Sequence, residues 1–147
     1  MISGIVRKLG KELFADIRIS EECSDFLKDE DKLSELLTKS FEDAGIRIVV
    51  DKAGKKKVLI HDFTDETGVD DDGVTYTTIF GESHGTASTW PAKFDEKGKK
   101  LNSSCILLNI FTCGIDLSKP YKAFGNVAAA LNSEIMLVRA FDRGEPG

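Results

Sequence analysis

Few residues of this chain carry a thiol or an imidazole, and two of those five fall in two short segments that also hold candidate hydroxyls. The thiols are Cys23, Cys105 and Cys113, and the imidazoles are His61 and His84. Three cysteines without metal-ligand spacing, beside only two histidines, argue against a zinc site, and no metal is expected. The first segment runs Gly81-Glu82-Ser83-His84-Gly85-Thr86-Ala87-Ser88-Thr89-Trp90-Pro91, and the second Asn109-Ile110-Phe111-Thr112-Cys113-Gly114. A hydroxyl, a neighbouring imidazole and a thiol are the tools they offer. With a pKa of about 8.5, a thiol keeps a proton to give at neutral pH. Cys23 and Cys105 have no motif around them and read as structural, reduced thiols.

The elements that must position these segments show in the hydrophobic pattern. Leu13, Ala15, Ile17 and Ile19 alternate with polar neighbours, the period of a half-buried strand. Leu33, Leu36, Leu37, Phe41 and Ala44 lie on one face of a helix that Gly45 should stop. Residues 46–50 and 57–62 read as strands, with Ala53-Gly54 as a hairpin turn between them. Residues 65–73 hold five acidic residues and two glycines and form a loop. Val74–Phe80 is β-branched and aromatic and predicts a strand, with Thr86–Trp90 as a short partner. Trp90 is expected to pack. Lys93–Ser104 is a polar, lysine-rich excursion that predicts an exposed hairpin tip. Cys105–Thr112 is almost continuously apolar, as in a central strand buried on both faces. Ser118 can cap a helix with Pro120 in its first turn, running to about Leu131, and Ile135–Ala140 closes the chain as a strand. This order predicts an α+β two-layer sandwich, a mainly antiparallel sheet with both helices on one face. The other face is then either wet or a dimer interface.

Together the two segments resemble the processing and catalytic segments of bacterial and archaeal pyruvoyl-dependent S-adenosylmethionine decarboxylases. That family reads Ser-Glu-Ser-His-x-x-x-His-Thr-Trp-Pro-Glu, and later Asp-hydrophobic-Phe-Thr-Cys-Gly. The spacing from Glu82-Ser83-His84 to Thr89-Trp90-Pro91 matches without insertion. His61 and Phe63 stand where the family has a His-x-Phe element, and Pro120 to Phe124 falls in the expected order. The resemblance implies an enzyme that makes its own cofactor. Ser83 would attack the carbonyl of Glu82, the resulting ester would be eliminated, and the new N-terminus would become a pyruvoyl group. Cleavage would leave fragments 1–82 and 83–147. The ketone would form a Schiff base with the substrate amine and accept the electrons released with carbon dioxide, a role no ordinary side chain can fill. By the same resemblance Cys113 reprotonates the α-carbon, Thr75 assists the acyl shift, His84 follows the scissile bond, and Phe63 stacks on adenine or simply packs. A homodimer is the family default.

Two departures open alternatives. Ser88 replaces the family histidine that acts as base in the elimination, and a serine hydroxyl is a very poor base. His84 or His61 would then have to take over, or the chain would be an uncleaved relative that binds a ligand or regulates a partner. Ala92 replaces the glutamate that holds the ribose hydroxyls, which opens the substrate to arginine or ornithine. The acidic loop of Asp65, Glu66, Asp70, Asp71 and Asp72 is either a solvated loop or an attractor for such cations. Asn109 for aspartate is a milder change.

Size and charge bound the rest. At 147 residues the chain is read as one domain, 1–147, with a core of ordinary size. Its 41% apolar and 31% charged residues describe a soluble globular protein. A net charge of −5 makes nucleic acid a poor partner, and the basic runs Lys55–Lys57 and Lys97–Lys100 read as solvated turns. No apolar run approaches the roughly 20 residues a membrane helix needs. Arg7, Lys8, Lys11 and Glu12 break up any signal-like segment, so a cytoplasmic location is expected.

Overall fold

The computed structural model describes residues 10–62, 73–81, 83–90, 93–102, 104–112 and 117–143. Six strands form an antiparallel sheet: β1 (Gly10–Arg18), β2 (Val58–Asp62), β3 (Val74–Ile79), β4 (His84–Trp90), β7 (Cys105–Thr112) and β8 (Glu134–Arg143). Their order across the sheet is β2-β3-β4-β7-β1-β8. Strands β5 (Lys93–Phe94) and β6 (Lys100–Asn102) make a separate two-stranded hairpin, as expected for the lysine-rich excursion. Helices α1 (Glu30–Asp43) and α2 (Ser118–Ala130) touch each other and cover one face of the sheet, the predicted two-layer arrangement.

The alternation in each strand decides which face is covered. Leu13, Ala15 and Ile17 of β1, Ile106, Leu108 and Ile110 of β7, and Ala87 of β4 point into the core. The helices meet them with Leu33, Leu37 and Phe41 from α1 and Ala123, Phe124 and Val127 from α2. Phe41 is fully buried, with its ring 5.2 Å from Phe80 and 6.2 Å from Tyr76. Burying such a side chain contributes about 1.5–3 kcal/mol. The Tyr76 hydroxyl shares a 2.9 Å hydrogen bond with Thr38, tying α1 to β3. Asp29 caps α1 by accepting from the Lys32 N–H at 3.0 Å, and Gly45, at φ +84°, follows as the stop.

Several expectations need correction. Residues 46–50 form no ladder strand: Ile48 bridges Phe80 and Val50 bridges Lys56, so the segment changes partner after one pair on each side. Strand β7 is central but buried on one face only, because both helices lie on the same side; Leu107 stays 38% exposed. Trp90 does not pack in the core but faces outward at 44% exposure. Ser118 is already inside α2; Leu117 takes the cap position and supplies no side-chain hydrogen bond. A 3-10 helix at Glu21–Leu27 was not foreseen, since seven residues carry no readable period. It is anchored where the buried Thr89 hydroxyl donates to the Leu27 carbonyl at 3.0 Å and accepts from the Val74 N–H at 2.8 Å. The acidic 65–73 loop lies almost entirely outside the described residues. No helix among the described residues is long and apolar enough to cross a membrane.

Candidate active site

Ser83 sits at the end of the β3–β4 connection, just before β4 begins. Ile79 pairs with His84, the Phe80 N–H donates to the Ser83 carbonyl at 2.8 Å, and the Gly81 N–H donates to the Arg47 carbonyl at 3.0 Å. Two glycines let the chain pass this closely. A Cβ at Gly81 would lie 2.8 Å from Arg47 Nη2, and one at Gly85 would lie 2.7 Å from Phe80 Cζ. Half-buried, Ser83 lines a cavity of about 350 Å³ at the end of the sheet, together with Arg47, Ile110, Thr112 and Lys119. Thr112 is the last residue of β7 and the one before Cys113 in the chain.

The other expected site residues fall on the uncovered face of the sheet. His84 is exposed and stacks on Phe111, its register partner on β7, with ring centroids 5.2 Å apart and planes 16° from parallel. Thr75 and Ser88 face each other across β3 and β4, their hydroxyl oxygens 3.5 Å apart. His61 of β2 is in register with Thr75, so imidazole, threonine and serine occupy one row of the sheet. That row is remote from Ser83 in the same chain. Ser88 lies five residue steps along the chain from Ser83, about 16 Å at roughly 3.3 Å per residue. Glu82, Cys113, Phe63 and Ala92 lie outside the described residues.

Two cavity residues, Arg47 and Lys119, were missed in the sequence. They are 72 positions apart by their numbering and belong to no motif; only the fold brings them to one wall. Among the other thiols, Cys23 and Cys105 are free, and burial together with the nearby Asp16 carboxylate pushes the Cys105 thiol pKa up. Among the described residues, no three of the His, Cys, Asp and Glu side chains come together as a metal site.

Comparison with known proteins bears on the fold and the family. No curated protein sequence matches the chain. The crystal structure of the adenosylmethionine decarboxylase from Aquifex aeolicus VF5 superposes with a TM-score of 0.60, covering 94% of this chain and 91% of that one at 20% identity. That likeness establishes a shared fold. The family model for S-adenosylmethionine decarboxylase matches residues 13–144, from the first core residue of β1 through the end of β8. With nearly every element inside that match, the chain belongs to the S-adenosylmethionine decarboxylase family.

Proposed function

We propose that the chain is a pyruvoyl-dependent decarboxylase of S-adenosylmethionine that generates its own cofactor by cleavage between Glu82 and Ser83. The observation that carries this is the position of Ser83: at the end of a tight connection, on the wall of a cavity that it shares with Thr112, the neighbour of Cys113. In the cleavage, the Ser83 oxygen takes the place of the Ser83 nitrogen on the Glu82 carbonyl carbon. Loss of the Ser83 α-proton then breaks the ester bond, leaving Glu82 with a free carboxylate and position 83 as an enamine; this tautomerises to an imine, takes up water and releases ammonia, which leaves the pyruvoyl ketone. The residues fit the group, since a residue at position 83 opens onto a cavity able to admit a substrate. A pyruvoyl group there supplies the electron sink for carbon dioxide loss. Cys113 returns a proton to the α-carbon, and Phe63 stacks on the adenine. The product feeds aminopropyl transfer in polyamine (spermidine) synthesis, and the enzyme works in the cytoplasm.

The uncovered sheet face supports a homodimer. Phe14, Leu59, Ile79, Trp90, Leu107, Leu137 and Phe141 are all large, apolar and more than a third exposed on it. An apolar surface of that extent is characteristic of an interaction site. In such a dimer the Thr75–Ser88 row of one protomer serves the Ser83 connection of the other, which accounts for their separation within a chain.

Intact-mass measurement on purified protein tests the proposal. Two fragments meeting at position 83 and a carbonyl-reactive N-terminus on the second are expected, with Ser83→Ala remaining whole. A single species in wild type under all conditions would instead support an unprocessed ligand-binding or regulatory relative, which Ser88 favours. Ala92 favours a second substrate reading, arginine or ornithine. Carbon dioxide release from each candidate substrate separates the two, and turnover of S-adenosylmethionine alone excludes the basic amino acids.

A further inference from the structure

The cavity beside Ser83 carries two cations to which the proposed chemistry gives no task. Arg47 is held in place by its backbone, whose carbonyl accepts the Gly81 N–H, and its guanidinium lies against that same glycine. Lys119 reaches in from the first turn of α2, with its Cε 3.5 Å from where a Cβ on Gly45 would stand. No described residue lining the cavity is acidic, and among the described residues neither cation has a carboxylate partner. The cavity also opens at the start of α2, where the cap residue Leu117 supplies no side-chain hydrogen bond, so the positive end of the helix dipole adds to the two charges. In a chain of net charge −5, two cations on one cavity wall with no acidic residue among the described lining run against the average surface and favour an anion.

We propose that this cavity binds a small oxyanion of the carboxylate or phosphate class between Arg47 and Lys119, and that the bound ion braces the connection carrying Ser83. With a volume of about 350 Å³, the cavity admits inorganic phosphate or a short dicarboxylate. The occupant is an effector and not the carboxylate that the reaction discharges. Two cations in contact with that group would stabilise the charge that has to disappear on the way to the transition state, which raises the barrier. Binding does not depend on the decarboxylase reading; only the effect on self-cleavage rests on it.

The test is calorimetric titration of the full-length protein with inorganic phosphate and, separately, with malonate, each at constant ionic strength made up with chloride. Saturable binding of at least one is expected, and the arm that binds identifies the class. Charge-assisted hydrogen bonds of this kind are worth enough that Arg47→Gln and Lys119→Gln should each weaken binding about tenfold. Both side chains are exposed, so the substitutions leave the fold intact. Ser83→Ala should bind as wild type does, which keeps the result independent of any cleavage. In protein that cleaves, the rate of fragment formation should saturate with the same half-point as binding. No saturable heat from either anion, or affinity unchanged in both cation variants, would overturn the site; binding without any effect on cleavage would overturn the bracing role.

Discussion

Ser88 stands in a row with Thr75 and His61, and this bears directly on the missing family histidine. Its hydroxyl oxygen is 3.5 Å from that of Thr75, a contact between two groups neither of which is a base near pH 7. Ser88→His puts an imidazole into this row on the uncovered face, without entering the core. We expect faster appearance of the 83–147 fragment by mass spectrometry; an unchanged rate would mean that another group, His61 being nearest in register, already takes the proton. A second residue-scale test concerns Cys105. Burial, and then Asp16, raise its pKa, which lowers the thiolate fraction at pH 8 below that of an ordinary thiol. Asp16→Asn removes one cause and leaves burial, so the pH profile of Cys105 alkylation should move to lower pH and the rate at pH 8 should rise. Peptide mapping distinguishes it from Cys23 and Cys113, and an unmoved profile refutes the role of Asp16. The resemblance to the family singled out Ser83, Thr75 and Ser88. That Thr75 faces Ser88 across β3 and β4 depends on strand register, which no spacing along the chain reports.

At the scale of elements, the β3–β4 connection depends on two glycines for different reasons, and alanine at each should separate them. Phe80 is 4% exposed and wedged edge-on against Phe41, so its ring cannot retreat from a Cβ at Gly85. Gly85→Ala should therefore cost about 1–3 kcal/mol, the usual range for overpacking. Arg47 is an exposed, flexible side chain, so Gly81→Ala should cost less than about 1 kcal/mol as the guanidinium swings aside. Urea unfolding of the two variants checks the order, and equal losses would contradict it. Strand and helix order was readable because alternation in β1 and the i, i+3, i+4 pattern of α1 are both set by the same core. The two errors of burial, β7 and Trp90, share one cause. Apolar content does not say which face of a strand is covered, and no element among the described residues covers the second face.

For the whole molecule, the uncovered face links the fold to the chemistry. Leu137 and Phe141 lie near its β8 edge, 41% and 51% exposed, and Phe141 meets Phe14 edge-to-face at 5.9 Å. If two copies join through this face, Leu137→Asp with Phe141→Asp should turn a dimer into a monomer in sedimentation velocity while the helical signal persists. Cleavage should slow in that monomer, because the roughly 16 Å that separates Ser83 from the Thr75–Ser88 row cannot be spanned by side chains within one chain. Complementation makes the point sharper. A Thr75→Val chain retains Ser83 but lacks the assisting hydroxyl, and a Ser83→Ala chain retains the hydroxyl but has nothing to cleave. Mixed and allowed to exchange subunits, they should give the 83–147 fragment from the Thr75→Val chain faster than that chain gives it alone. No acceleration on mixing, with mixed dimers verified by mass, would place the assisting group within the same protomer and remove the reason for pairing the two faces.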